Sequence, residues 1–305
     1  MASFNPQESI MNKFILSGLV LISATAGATE TRTNALGNNL GLADDTDYQM
    51  FANTTGEAGD SVTLNVMGDT LTGAMMFGAN AITVREGQFG SHLGWHHSSG
   101  DSGYSVGLDM GDTENFGLNG SYSMARGDAN MAFGGGLTMA GDDLGINAGV
   151  MSRALSDSNV TAWGAGVGMD GGNIDIGGMY AMGWVMGGDA SNAALTVGPA
   201  LDVAMPDGGD MVVNMSLLAA NIAGEFMFND WVGIRGGVVG SLDVADATND
   251  LGVSTNMGAT LGGTFHSDAG HIDLMYTPAQ LLGGPHFITG AGTGAAVMLS
   301  ARFAI

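Results

Sequence analysis

The sequence predicts an all-β protein, an antiparallel transmembrane β-barrel of about 14 strands within a range of roughly 12 to 16. Three observations predict it. Apolar residues recur at every second position along most of the chain, the positions between them are small and almost uncharged, and clusters of Gly, Asp, Asn and Ser break the alternation at intervals of one strand plus one loop. Composition agrees. The 305 residues include 53 Gly and 22 Met, no Cys, and 7 Lys plus Arg against 30 Asp plus Glu, for a formal net charge of -23. That charge repels phosphate backbones and leaves nucleic-acid binding without electrostatic footing. The absence of Cys excludes thiol catalysis, iron–sulfur clusters and disulfide scaffolds. With 45% hydrophobic residues, the chain also carries more apolar surface than a disordered acidic segment.

The amino end reads as a processed leader. From Met11 the chain runs through Lys13, an apolar stretch from Phe14 to Ile22, and the small residues Ala26-Gly27-Ala28. A short cationic start, a core too brief to span a bilayer and a small-residue cleavage site make a secretory signal peptide. The expected division is residues 1–28 as signal peptide, with Met11 as an alternative start, and residues 29–305 as one domain.

The strands follow in order. Tyr104, Val106, Leu108 and Met110 alternate with Gly103, Ser105, Gly107 and Asp109, and Phe116, Leu118, Tyr122 and Met124 with Gly117, Asn119, Ser121 and Ser123. The pattern returns in Met131, Phe133, Leu137 and Met139, and again in Leu251, Val253, Met257, Leu261 and Phe265. Turn clusters such as Ser99-Gly100-Asp101, Arg126-Gly127-Asp128 and Pro206-Asp207-Gly208-Gly209 reverse the chain between them, because Gly accepts positive φ and Asp or Ser bonds back to its own backbone. A soluble sandwich dresses its polar face with long charged side chains. Here that face is Gly, Ser, Ala, Thr and Asn, which suits the interior of a barrel whose apolar face meets lipid. A secreted, soluble Gly-rich β protein is the competing architecture.

At the carboxyl end Val297, Leu299, Ala301, Phe303 and Ile305 alternate to the last residue. This strand resembles the final strand of bacterial outer-membrane β-barrel proteins. The resemblance implies that Phe303 and Ile305 form an assembly signal read by the barrel assembly machinery, and that outer-membrane lipid and lipopolysaccharide surround the barrel. The opening, Thr31-Arg32-Thr33-Asn34-Ala35-Leu36-Gly37, then Ala43-Asp44-Asp45-Thr46-Asp47 and Phe51-Ala52-Asn53, resembles the start of barrels related to the long-chain fatty acid transporters. That resemblance adds a carrier of hydrophobic solutes as an alternative function.

Taking the apolar parity as outward, Asp109, Asp175, Asp202, Glu225 and Asp273 are expected to line the lumen with Arg126, Arg235 and Arg302. Acids outnumber bases, so an open bore would pass small solutes with a weak preference for cations. The expected function is therefore a passive, weakly cation-preferring pore. A non-transport scaffold or surface-display barrel, in which opposite charges pair across the lumen, is an alternative.

Other chemistry is sparse. His92 and His96 share a strand face and have the spacing of a lumenal metal pair, but no Cys or carboxylate completes a tetrahedral set at suitable spacing, and histidines at strand ends near the aqueous rim are expected for them and for His97, His266 and His271. Gly171-Gly172-Asn173-Ile174-Asp175 is similar to a calcium-binding nonapeptide but lacks its third Gly and does not repeat. Met131, Met139, Met169, Met182, Met186 and Met257 fall on the apolar face, where a lipid-facing filler is the simpler role than copper handling. No metal, cofactor or enzymatic activity is expected.

Overall fold

Period-two alternation becomes, in a computed structural model of the chain, sixteen antiparallel strands. The structure describes residues 39–42, 47–57, 59–67, 70–87, 90–111, 115–140, 143–170, 172–188, 191–205, 211–247, 250–277 and 296–305. The expected signal peptide lies outside them. The strands are β1 Ser61–Met67, β2 Thr70–Phe77, β3 Asn80–Gly87, β4 Gly90–Ser99, β5 Ser102–Met110, β6 Asn115–Arg126, β7 Ala129–Ala140 and β8 Asp143–Leu155. They continue as β9 Asn159–Asp170, β10 Asn173–Gly188, β11 Ser191–Met205, β12 Val212–Asn229, β13 Val232–Ala247, β14 Asp250–Ser267, β15 Gly270–Thr277 and β16 Ala296–Ala304.

Every strand pairs with its sequence neighbours, and β1 pairs with β16, so the sheet closes and leaves no edge. Closure sets Val62 against Phe303 and Leu64 against Ala301. The count of sixteen lies at the top of the expected range. β1, β2 and β3 are only 7 or 8 residues long and follow one another two residues apart in the sequence, so the early units are shorter than an average strand and loop. β12 and β14 reach 18 residues. Between β11 and β12 the register breaks around Gly198 and Ala200, where Pro199 has no N–H to offer the ladder.

One face of the wall is apolar and points outward. Leu64, Leu93, Val106, Leu118, Leu137, Val167, Met182, Leu261 and Leu299 are among the exposed large side chains. The methionines Met139, Met169, Met182, Met186 and Met257 join them. Only in hydrocarbon is such a surface favourable, since exposing it to water would forfeit the burial that drives folding. All four Trp in the chain, Trp95, Trp163, Trp184 and Trp231, stand outward toward the same end of the barrel. Tyr104, edge-on to Trp95 with ring centroids 5.2 Å apart, and Phe226, packed on Phe228, extend that aromatic girdle at the lipid–water boundary.

At the girdle end the connections, 78–79, 100–101, 127–128, 156–158, 189–190, 230–231 and 268–269, are two or three residues each. The opposite end carries the longer ones, 206–211 and 278–295 among them. In barrels of this type short turns lie on the inner side and long loops outside. The girdle end is therefore the inner end.

Candidate functional site

The lumen is not empty. Ahead of β1 the chain turns into the barrel at its inner end, where residues 39–42 and 47–57, with 3₁₀ turns at Asp47–Gln49 and Ala52–Thr54, form a plug. Tyr48, Phe51, Ala52 and Asn53 are buried there. Phe51 packs against Ala132 of β7 and Met151 of β8, and Tyr48 against Ala74, Met76 and Ala81 on β2 and β3.

Polar contacts tie the plug to the wall at three places. The guanidinium of Arg153 on β8 donates to both carboxylate oxygens of Asp47, with the Nη1 to Oδ1 distance 3.0 Å, and lies over the Phe51 ring. Asn53 donates from its backbone N–H to Ser123 Oγ at 2.8 Å and from Nδ2 to Asn130 Oδ1 at 2.7 Å, while Ser98 Oγ donates to its carbonyl at 2.8 Å. Asn39 Nδ2 reaches Ala194 O at 3.2 Å and Asn221 Oδ1 at 3.1 Å. The fit requires Gly103 on β5, because a Cβ there would collide with the backbone of Ala52 and Asn53. Between plug and wall, at the inner end, a cavity of about 520 Å³ is lined by Leu42, Leu155, Val185 and Asn192 among others.

Charge is divided along the barrel axis. Asp109, Asp170, Asp175, Asp202 and Asp243 lie on the inward parity of the outer half. The one inward cation described there is Arg85. Asp109 faces Arg85 at 3.5 Å and accepts from Asn119 Nδ2 at 3.1 Å, while Asp243 accepts from Ser216 Oγ at 2.6 Å and Ser241 Oγ at 2.9 Å. In the inner half the charges are mixed. Arg235 reaches over the small residues Gly262 and Thr264 of β14 to Asp273 at 3.0 Å, and His271 approaches the same carboxylate at 3.5 Å. Arg302 stands opposite His271, and Glu225 stands opposite Arg235 and accepts from Asn192 at 3.4 Å.

Of the residues expected inside, Asp109, Asp175, Asp202, Glu225, Asp273, Arg235 and Arg302 occupy the inward parity, but in two separate groups. Arg126 does not join them. It shares the parity of the outward Tyr122 and closes the β6–β7 turn at the inner rim, where its long side chain has water within reach of the girdle. His92 and His96 are not at the rim either, since both are buried inside the barrel. His266 and His271 do sit at the inner end, with rings stacked 5.2 Å apart. The sequence reading missed the plug, Arg153 and the acids Asp170 and Asp243. The last two were legible from the same strand parity that placed Asp175 and Asp202. Among the described residues no group of three His or carboxylate side chains is arranged to hold a metal ion.

Closed sixteen-strand topology, an apolar girdled wall and a polar interior define the class: this is an outer-membrane β-barrel. A solved structure agrees in fold. A bacterial polysaccharide outer membrane secretin superposes with a TM-score of 0.50 at 8% identity, over 80% of this chain and 97% of that one. CdiB from Acinetobacter baumannii gives 0.45 at 12%, over 80% and 59%. OmpT, an outer membrane protein of Vibrio cholerae, gives 0.42 at 7%, over 80% and 94%. No protein-family model and no curated protein matches the sequence.

Proposed function

We propose that this barrel is a passive, cation-preferring passage for small solutes, with its inner half narrowed by its own amino-terminal segment. The observation that carries the reading is the charge of the outer half, where Asp109, Asp170, Asp175, Asp202 and Asp243 lie on the inward parity and Arg85 is the one inward cation described. A confined, poorly screened space lined by one sign of charge raises the local concentration of the opposite ion. Cations entering from outside meet this region first and then the plug. Movement of the plug at its Asp47–Arg153 and Asn53 contacts sets how much passes. Phe303 on β16 and Ile305 just beyond it serve assembly, because β16 must pair with β1 before the wall is closed.

The test compares ion flux through the wild-type barrel with that of an Asp175→Asn/Asp202→Asn/Asp243→Asn variant in liposomes. Preference for small cations over anions should fall in the variant. The same neutralisation at Asp101, Asp128 and Asp157, in turns at the inner end, should change it far less, because exposed charges there are screened within about 8 Å at physiological salt. Equal effects from both sets would remove the lumen as the selective element. No flux through folded wild-type protein would favour the scaffold reading, in which the plug and the paired charges seal the bore.

A further inference from the structure

We propose that His92 and His96 form a binding site for a divalent transition-metal cation inside the barrel, independent of whether the barrel conducts. Both rings project inward from β4, on either side of Gly94, and both are buried. The hairpin register brings Asp109 of β5 opposite His92, and His92 Nδ1 lies 2.7 Å from Asp109 Oδ1. Nδ1–H donates to the carboxylate, which leaves the Nε2 lone pair for a ligand. That nitrogen is buried and has no hydrogen-bond partner.

It lies beside Gly94, whose missing side chain makes room for polar atoms from both strands of the β3–β4 pair. A Cβ built on Gly94 would lie 3.0 Å from His92 Nε2 and 3.4 Å from His96 Nε2. The Thr83 hydroxyl, on the neighbouring strand, overlaps the same position. The two imidazole nitrogens thus converge on the place that this hydroxyl fills, with Thr83 Oγ1 3.5 Å from His96 Nε2, and a cation enters by shifting the hydroxyl into its ligand shell. The plug closes this place from the side, with the Tyr48 ring edge-on to His96 at 5.1 Å. Imidazole nitrogen is a preferred ligand of zinc, nickel and copper and a poor one for calcium or magnesium. A carboxylate on the far nitrogen of a ligating histidine fixes its tautomer and raises its basicity, the arrangement that His92 and Asp109 already make. Water completes the coordination shell. The site was obscured in the sequence because its carboxylate comes from the next strand.

Zinc alone is titrated calorimetrically into the full-length barrel in detergent, at micromolar concentrations. The wild type should bind one equivalent at this site. Asp109→Asn should weaken it by about 10- to 100-fold, the usual cost of losing such an outer partner. His92→Gln/His96→Gln should abolish it, and His266→Gln/His271→Gln, which removes the stacked pair at the inner end, should leave it intact. X-ray absorption of the zinc-loaded His266→Gln/His271→Gln protein needs no change at the site, and it should count two imidazoles on the metal. The proposal is overturned if the wild type takes up no zinc, if binding survives His92→Gln/His96→Gln, if it disappears with His266 and His271, or if fewer than two imidazoles are counted.

Discussion

Replacing Asp47 by Asn removes the charge that Arg153 faces while keeping the side chain's size. The Arg153 side chain is 6% exposed and that of Asp47 16%, so the pair is largely shielded from water, and the guanidinium meets both carboxylate oxygens. Breaking a buried pair by removing one partner costs about 3 to 5 kcal/mol. The partial exposure of Asp47 favours the lower end, and stacking of Arg153 on Phe51 survives the change. A loss of about 3 kcal/mol shifts the docking equilibrium of the plug by roughly two powers of ten. Hydrogen exchange reads this locally. The amides of Met50 and Phe51, bonded to the Asp47 carbonyl, and those of Thr54 and Thr55, bonded to Phe51 and Ala52, should lose about that much protection, within the free energy the Asn39 and Asn53 contacts leave available. Amides of β8 and β9 should not change. Unaltered protection in 47–55, or an equal loss in the wall, would refute the claim that this ion pair fastens the plug.

Further outcomes follow from the same geometry. Gly103→Val should drive Ala52 and Asn53 off the wall, seen as faster exchange in the plug and larger conductance with normal heat-modifiable mobility on gels. Leu118→Arg, on the lipid face, should impair insertion by about 2 to 4 kcal/mol near mid-bilayer, whereas Ser121→Asp, on the inward face, should be tolerated better, as measured by folding into vesicles. Deletion of 301–305 removes four of the seven β1–β16 register pairs and should leave the protein unassembled, without a heat-modifiable band. Glu57, at the end of the plug nearest β1, has its carboxyl raised above the ordinary value by partial burial and then by repulsion from Asp47. A raised carboxyl pKa penalises the charged, neutral-pH form, so Glu57→Gln should stabilise the plug at neutral pH, with the gain fading as pH falls through the carboxyl range.

What was legible in the sequence was whatever repeats. Alternation at period two disclosed the wall, its apolar outside and the inward parity of Asp109, Asp175 and Asp202. Arg126 was expected inside on its charge, against the phase of its own strand, which puts it with Tyr122 and Met124 and was legible in the sequence. The plug has no period. Tyr48, Phe51 and Asn53 gain their meaning from Ala132, Met151, Ser123 and Asn130, which strand pairing assembles from elsewhere in the chain. His92 and Asp109 occupy an intermediate position. They stand equally far from the Gly100-Asp101 turn, so a hairpin centred there pairs them, but only once that turn is chosen as the centre. The polarity of the barrel, with acids concentrated outside and Arg153, Arg235 and Arg302 inside, required the strand order as well as the sequence.

The most direct test of the account is the reversal potential of single wild-type barrels in a planar bilayer under a potassium chloride gradient. A potential displaced toward the potassium equilibrium value is the predicted result, since five inward carboxylates against Arg85 govern entry from the outer end. Displacement toward the chloride value would contradict it.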